Sequence, residues 1–228
     1  MLWALLVLGF APALFWLIYF YRKDRYQPEP ARLVIRCFSF GLLVTFPAAL
    51  VEMPFGPFVS VVLVAPVVEE LAKYLVVRKG VYSASEFDEP MDGIVYAAAA
   101  ALGFASLENV LYFHQSLQDD SLAAVFILRS MLSTPGHVLW SSVWGAALGL
   151  AKFMDPADGR ILVGRALVSA MLLHALFNAI CFTFGTAGFL FGAIGMTVLT
   201  LFLWKGMKRR LRAAEDASPF APPPADPR

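Results

Sequence analysis

Residues 1–20 read MLWALLVLGFAPALFWLIYF, twenty positions without a charged side chain. An α-helix rises about 1.5 Å per residue, so a run of this length covers the roughly 30 Å of hydrocarbon in a bilayer. The first basic residues, Arg22, Lys23 and Arg25, follow the run instead of preceding it. A cleaved signal peptide has the opposite order, with its basic region first. The stretch therefore predicts a retained membrane span.

The composition of the chain also indicates membrane residence. Of its 228 residues, 59% are apolar and 15% are charged, whereas a typical soluble domain has about half and about a quarter. The net charge of +1, with no basic run interleaved with aromatic residues, argues against a nucleic-acid partner. Cys37 and Cys181 both lie in apolar runs, so neither a disulfide framework nor a thiolate metal site is expected. The lipid bilayer is the expected environment.

Apolar runs of similar length recur along the chain and predict an all-α fold. The fifth run is too long for one simple crossing and contains Thr134-Pro135-Gly136, where proline removes a backbone donor and bends or breaks a helix. We expect one kinked or broken crossing there, and a re-entrant piece stays open. The prediction is a polytopic transmembrane helical bundle of about seven spans, at residues 1–20, 33–53, 58–77, 92–113, 122–153, 161–184 and 187–205.

The basic residues of the loops predict the orientation of the bundle. Short cytoplasmic loops of membrane proteins are enriched in Lys and Arg. Such residues follow spans one, three, five and seven, whereas loops 52–57, 114–121 and 185–188 contain neither. The N-terminus is therefore expected outside and the C-terminus in the cytoplasm. Residues 1–212 are predicted to form the membrane domain, and the Pro- and Ala-rich residues 213–228 a disordered cytoplasmic tail.

Span three carries charges at a depth where charge is costly. Its sequence APVVEELAKYLVV (65–77) places Glu69 and Glu70 near mid-bilayer, where an ionised side chain costs at least about 2.5–3.5 kcal/mol on insertion scales. Lys73 follows at i+4 and i+3, so it reaches either carboxylate on one helix face. An internal ion pair explains the lysine and one glutamate but leaves the other glutamate uncompensated. We predict catalytic roles for Glu69 and Glu70, with Lys73 in support.

Span four adds a third carboxylate. Phe104 and Glu108 share a helix face at i,i+4, and Asn109 follows directly. Glu108 lies toward the outer end of its span, where a charged side chain can also reach the interface for structural reasons alone. Arg129, in the outer half of span five, should lie at a similar depth, so we expect it to pair with Glu108. Glu108 is a predicted catalytic residue, and Phe104, Asn109 and Arg129 are predicted supporting residues.

Two histidines complete the set. His137 directly follows the Thr134-Pro135-Gly136 break, and irregular backbone at membrane depth occurs only where it is buried in protein or lines a wet cavity. His174 and Asn178 share one face of span six at i,i+4. A single histidine in a span is more often a packed, hydrogen-bonded residue, but two at mid-span favour a site. His137 and His174 are predicted catalytic residues, with Asn178 in support.

Two chemistries fit these residues, and the spacing does not choose between them. In one, His137, His174 and Glu108 hold a zinc ion with an open position for water, and Glu69 or Glu70 is the general base. In the other, a glutamate and a histidine activate water without a metal, and Asn178 donates to the oxyanion. The HExxH helix of the common zinc proteases is absent from the sequence.

Four motifs in order resemble the PrsW family of intramembrane proteases, which is related to the CAAX prenyl endopeptidases and the bacterial CPBP proteins. The resemblance covers about residues 22–208, nearly all of the predicted membrane domain. The motifs are EELAK (69–73), DG…GFASLEN (92–109), STPGHVLWSSVWGAALG (133–149) and HALFN (174–178).

The resemblance implies a polytopic helical peptidase, placed among the metallopeptidases, that cuts a membrane-anchored protein near the membrane. Family members are associated with site-1 cleavage of a single-pass anti-sigma factor, so such a substrate and a bacterial cytoplasmic (inner) membrane are expected. The paired glutamates correspond to Glu69 and Glu70, and the FxxxE motif to Phe104 and Glu108. Its histidines correspond to His137 and His174.

The sequence also departs from the wider group. Glu108 stands where the prenyl-endopeptidase relatives have a histidine, which argues against prenyl-protein processing. It also weakens the transfer of their proposed metal-free mechanism to this chain.

Two other classes of function fit parts of the sequence. Buried carboxylates beside a broken helix also occur in proton- or ion-coupled transporters, although no matching pair of broken spans indicates an inverted repeat. A catalytically inactive receptor would not require the complete set of motifs. The protease interpretation accounts for more of the residues than either alternative.

Overall fold

A computed structural model describes residues 2–118, 121–187 and 189–221. Within these residues the only regular structure is helical, which confirms the predicted all-α class. The described residues form eight α-helices and two π-helical segments, π1 and π2. They are α1 Leu2–Tyr21, α2 Ala31–Glu52, π1 Val59–Val64, α3 Ala65–Gly80, α4 Pro90–Ser116, α5 Leu122–Leu128, π2 Arg129–Ser133, α6 Thr134–Ala151, α7 Pro156–Ala187 and α8 Phe189–Asp216.

Five helical stretches of the described residues are long and apolar enough to cross a membrane. They are Leu2–Tyr21, Ala31–Glu52, Pro90–Ser116, Leu122–Ala151 and Pro156–Thr183, and they correspond to predicted spans one, two, four, five and six. The third and seventh predicted spans are also helical, as π1–α3 and α8. The count of seven and the orientation stay predictions.

Helix α4 is the centre of the bundle. Glu89 and Asp92 form a capping box at its start, and Pro90 occupies the first turn, where its missing N–H costs no hydrogen bond. Every residue from Pro90 to Ser106 is buried, as expected for a helix that is surrounded by others. Helices α1, α2 and α6 pack around it.

Small residues let these helices approach closely. A Cβ added to Gly103 would lie 1.9 Å from the carbonyl oxygen of Phe38 in α2, and one added to Gly93 would lie 2.2 Å from that of Gly145 in α6. Contacts this short exclude any side chain, so both helices lie against the backbone of α4. This packing fixes the relative positions of the carboxylate of α4 and the histidine of α6.

The interruption expected in the fifth span takes a specific form. The chain runs as continuous helix from Leu122 to Ala151, and the irregular part is π2, which ends where Thr134-Pro135-Gly136 begins. Pro135 then lies in the first turn of α6. The π1 segment likewise ends just before Pro66, in the first turn of α3. Single π-turns are rare and occur frequently at functional sites.

The C-terminal segment differs from the predicted boundary at residue 213. Helix α8 continues to Asp216, and the hydroxyl of buried Ser218 donates to the carboxylate of Glu89 at the start of α4. A helix end anchored in this way has a partner that the composition of the tail could not reveal. Residues 222–228 lie outside the described residues, so the prediction of disorder stays untested for them.

Candidate active site

A cavity of about 440 Å³ lies among α2, π1–α3, α4, π2–α6 and α7. Its wall is mostly apolar, and the polar side chains converge on one part of it. Of the ten residues predicted from the sequence, Glu70, Lys73 and Asn109 lie behind the wall. The seven that line the cavity are Glu69, Phe104, Glu108, Arg129, His137, His174 and Asn178.

Lys73 connects both glutamates of α3 to the histidine of α6. Its Nζ lies 3.0 Å from Oε2 of Glu69, 3.0 Å from Oε1 of Glu70 and 2.9 Å from Nδ1 of His137. The ammonium is fully buried and lies 4.4 Å from the centre of the Phe104 ring, within the range of a cation–π contact. Because an ammonium only donates hydrogen bonds, it holds the two carboxylates and the imidazole nitrogen as acceptors.

Glu70 is fully buried and surrounded by donors. Its Oε1 accepts from Lys73, and its Oε2 accepts from the hydroxyl of Ser141 at 2.8 Å and from Nε1 of Trp144 at 2.9 Å. A carboxylate with this many donors is held in its ionised form and in one orientation. Glu70 is therefore placed to organise the site rather than to face a substrate.

Glu69 faces the other way, into the cavity. Its Oε2 accepts from Lys73, and its Oε1 has no hydrogen-bond partner among the described residues. One oxygen is thus fixed by a buried cation while the other is free to meet a molecule in the cavity. This is the arrangement that a general base requires.

Glu108 belongs to a network of polar side chains. Its Oε2 lies 2.7 Å from a guanidinium nitrogen of Arg129 and 2.9 Å from Nε2 of His137. The ion pair expected between Glu108 and Arg129 is therefore present. Arg129 also donates to Asn109 at 2.6 Å, and Asn109 donates to Thr134 at 3.0 Å. Since His137 accepts from Lys73 at Nδ1, its Nε2 carries the proton and donates to Glu108.

His174 lies beside these groups on α7. Its ring stacks on Trp140 with a centroid distance of 4.0 Å and an angle of 16° between the planes. The Nδ1 atom is buried 3.4 Å from Oε1 of Glu70 and makes no hydrogen bond within the described residues. One turn further on, Nδ2 of Asn178 donates to the carbonyl oxygen of Val61 in π1 at 2.8 Å. The π-turn thus ties α7 to the helix that carries the glutamates.

The charges of the site do not balance. Three carboxylates, the buried Glu69 and Glu70 and the partly buried Glu108, face two cations, Lys73 and Arg129. Both cations pair with carboxylates at hydrogen-bonding distance, so the surplus negative charge is shared across the network.

Three residues of the site are potential metal ligands. Glu69, His137 and His174 offer donor atoms that all lie within 4.8 Å of one another, and their types match a catalytic zinc site. Glu69 thus takes the place that the sequence had predicted for Glu108. The arrangement leaves His137 without a free electron pair for a metal, because Lys73 bonds to its Nδ1 and Glu108 to its Nε2. Oε1 of Glu69 and Nδ1 of His174 have no hydrogen-bond partner within the described residues.

Several residues of the site were missed from the sequence. Ser141 and Trp144 both bind Glu70, and Trp140 supports His174. Glu52, at the end of α2, also lines the cavity. A serine and a tryptophan in an apolar span are ordinary, so only their i+4 and i+7 spacing from His137 gave a signal. Glu52 falls in the predicted loop 52–57, where a charged residue is ordinary, so the sequence does not indicate that it lines a cavity.

Comparison with known proteins gave consistent matches. A family model described as "PrsW family intramembrane metalloprotease" matches residues 29–207. The chain is 33% identical to Protease PrsW of Geobacillus kaustophilus, over 98% of both chains. It is 35% identical to Protease PrsW of Bacillus subtilis, over 78% of this chain and 83% of the relative. For Protease PrsW of Clostridioides difficile the identity is 30%, over 88% and 87%. No solved structure matches the chain.

Proposed function

Since the chain belongs to the PrsW family of intramembrane metalloproteases, it is a multi-pass membrane peptidase. We propose that Glu69 is the general base with which it hydrolyses a peptide bond of its substrate. The observation that carries this proposal is the free Oε1 of Glu69 in the cavity, with Oε2 fixed by Lys73. Membership in a family of peptidases favours this function over a transporter that uses the same carboxylates.

The proposed reaction begins with a water molecule beside Glu69. The carboxylate removes one proton, and the resulting hydroxide attacks the carbonyl carbon of the scissile peptide bond. When the C–N bond breaks, protonated Glu69 gives its proton to the leaving amine. Water is thereby divided between the new carboxyl and amino ends, and Glu69 returns to its ionised form.

His174 and Asn178 are proposed to stabilise the oxyanion. Both line the cavity on one face of α7, one helical turn apart. One N–H of the Asn178 amide donates to the carbonyl oxygen of Val61, and the second N–H is available for the oxyanion. The stacked Trp140 fixes the plane of the His174 ring, so that its donor is already oriented when charge develops on the carbonyl oxygen.

The remaining polar groups are proposed to position Glu69. Lys73 holds Glu69 in place, and Glu70 anchors the ammonium from its buried side. His137 links Lys73 to Glu108, and Arg129 compensates the charge of Glu108. Such a network raises the cost of any other arrangement, since each buried charge would lose its partner.

A zinc-dependent version is the second candidate, because the donor set of Glu69, His137 and His174 is of the right type. A zinc ion would polarise the peptide carbonyl and lower the pKa of a bound water. It would also require Lys73 and Glu108 to release the donors that they occupy. The arrangement of Lys73 favours the version without zinc.

The proposed substrate is a membrane-anchored protein with one span, of the kind represented by an anti-sigma factor, and the proposed location is the bacterial cytoplasmic membrane. The cavity of about 440 Å³ has the volume of a typical small-molecule site. It therefore holds a few residues of an extended segment and not a whole helix. A substrate must unwind locally to bring its peptide bond to Glu69.

The test is cleavage by the purified full chain in liposomes. Single-pass proteins with different juxtamembrane sequences are added, and the products are identified by mass spectrometry. The proposal expects at least one of them to be cut at a defined bond. Proton uptake is measured in parallel, and proton movement without any cleavage would support the transporter instead.

A further inference from the structure

Four buried carboxylates form a second cluster, at the end of α4 opposite the cavity. We define the acidic cluster as Asp24 and Glu29 from the α1–α2 connection together with Glu89 and Asp92 from the start of α4. All four are between 1% and 3% exposed. In the described part of the chain, none of them takes part in a salt bridge, so no basic side chain compensates their charge.

Each of these side chains accepts a hydrogen bond from a neighbouring segment or from its own helix start. Asp24 accepts from the backbone N–H of Glu29 at 2.9 Å, and Asp92 accepts from that of Glu89 at 2.8 Å. Glu29 accepts from the hydroxyl of Tyr96 and Glu89 from that of Ser218. These contacts explain why the carboxylates are held in place.

Three of the other carboxylate oxygens have no partner among the residues that the structure describes. Oδ1 of Asp24, Oε1 of Glu29 and Oδ1 of Asp92 are buried and have no hydrogen-bond partner within the described residues. A buried, unpartnered carboxylate oxygen is destabilising in a protein interior, and here three occur together. A bound ion that accepts electron pairs from these oxygens would remove the destabilisation.

The spacing fits a cation. Asp24, Glu89 and Asp92 each offer one oxygen, and these three oxygens all lie within 4.8 Å of one another. Calcium binds oxygen at about 2.3–2.6 Å, so two of its ligands lie at most ~5 Å apart. Magnesium, at about 2.0–2.1 Å, requires the oxygens to lie slightly closer. An all-oxygen donor set selects such hard cations over zinc or copper.

We propose that the acidic cluster binds one hard divalent cation, calcium or magnesium, through Asp24, Glu89 and Asp92, with Glu29 beside it. The cation joins three separate segments: the α1–α2 connection, the start of α4 and, through Ser218, the segment that follows α8. It thereby fixes the end of α4, the helix that also carries Glu108. The site lies apart from the catalytic residues and has a structural role.

Protons are the competing explanation. Burial, followed by the contact with Glu89, raises the pKa of Asp24 to about 7, and burial, followed by the contact with Asp92, raises the pKa of Glu29 to about 10. In the absence of a cation, the cluster therefore holds protons at neutral pH. A divalent cation displaces them, so the two occupants predict opposite responses to added metal.

The test uses the full chain in detergent after treatment with EDTA. Calcium chloride and magnesium chloride are titrated separately, and binding is followed by calorimetry and by the melting temperature. The proposal expects about one ion per chain and a melting temperature that rises by ~5–10 °C at 100 times the dissociation constant. The cation with the lower dissociation constant is the one that the site selects.

Three variants assign the binding to this cluster. Asp24→Asn should weaken binding by at least ~10-fold, because it removes a charged ligand. Asp158→Asn, at an exposed aspartate, and Glu69→Gln, in the catalytic cavity, should leave the titration unchanged. Glu29→Gln provides a second cluster variant where Asp24→Asn does not fold. Absence of saturable binding, with Asp24→Asn as stable as the wild type or more stable, would overturn the proposal in favour of shared protons.

Discussion

The ammonium of Lys73 lies 2.9 Å from Nδ1 of His137, although 64 residues separate the two along the chain. The contact fixes Nδ1 as an acceptor and therefore assigns the ring proton to Nε2, which faces Glu108. Lys73 also occupies the electron pair of Nδ1 with which His137 would otherwise bind a metal ion. Much of the proposed chemistry depends on this one relationship.

Removal of the Lys73 charge should destabilise the fold. Lys73→Met leaves Glu69 and Glu70 buried without their cation, a change that costs about 3–5 kcal/mol in comparable cases. For a chain of this length that corresponds to a fall of ~6–20 °C in melting temperature. The matched control is Lys79→Met, on the same helix but exposed, which should change it by less than ~2 °C. Equal melting temperatures for both variants would refute the role assigned to Lys73.

Glu70→Gln should lower stability more than it lowers the chemical step. The amide keeps one acceptor oxygen but turns an NH₂ toward Lys73 or toward the donors Ser141 and Trp144. A buried donor facing another donor costs about 1–3 kcal/mol. Glu70→Gln combined with Ser141→Ala should recover part of this loss, because one opposing donor is removed. The unfolding free energies of the four proteins in such a cycle measure the coupling.

Chelators should not inhibit peptide cleavage. Both ring nitrogens of His137 are already occupied, Nδ1 by Lys73 and Nε2 by Glu108, so EDTA or 1,10-phenanthroline should leave kcat unchanged once the melting temperature is restored with calcium or magnesium. Elemental analysis should find no stoichiometric zinc. One zinc per chain, together with full inhibition by phenanthroline and recovery on addition of zinc, would contradict the arrangement described here.

Stability in the absence of divalent cations should fall as the pH rises from about 5 to about 8. The pKa of Asp24 is raised by burial from its ordinary value of 3.8 to about 7, so the folded chain binds a proton that the unfolded chain has lost. This stabilisation is complete below the ordinary pKa and disappears as the pH passes through 7. Glu29, Glu89 and Asp92 face Asp24. Glu29, whose pKa is raised by burial to about 10, adds to the effect.

The measurement is the melting temperature in EDTA across this pH range. Asp24→Asn cannot ionise and should therefore flatten the curve, whereas Asp158→Asn should reproduce the wild type. Saturating calcium or magnesium should also reduce the slope, because the cation replaces the proton. A wild-type curve that rises with pH in EDTA would contradict the assignment of raised pKa values to this cluster.

The sequence allowed most of the site to be predicted, because charge inside an apolar span is rare. Glu69, Glu70, Glu108, His137 and His174 were each conspicuous for that reason, and the structure brings them to one place. Depth along a span can be counted from the sequence, and this predicted the pairing of Glu108 with Arg129 correctly.

The sequence does not predict which of the two adjacent glutamates faces the cavity. Glu69 and Glu70 are one residue apart, and which of them faces the cavity depends on Ser141 and Trp144, more than 70 residues further along the chain. The form of the helix interruption was also hidden, since a proline is compatible with a kink, a break or a π-turn. Both depend on packing between distant segments and not on local pattern.

The most direct test of the central claim is the cleavage rate of Glu69→Gln. The amide still accepts a hydrogen bond from Lys73 but cannot take a proton from water, so kcat should fall by at least ~100-fold while the melting temperature stays within a few degrees of the wild type. Glu69→Asp keeps the carboxylate and should retain measurable cleavage. A folded Glu69→Gln protein that cuts the substrate at the wild-type rate would contradict the assignment of Glu69 as the general base.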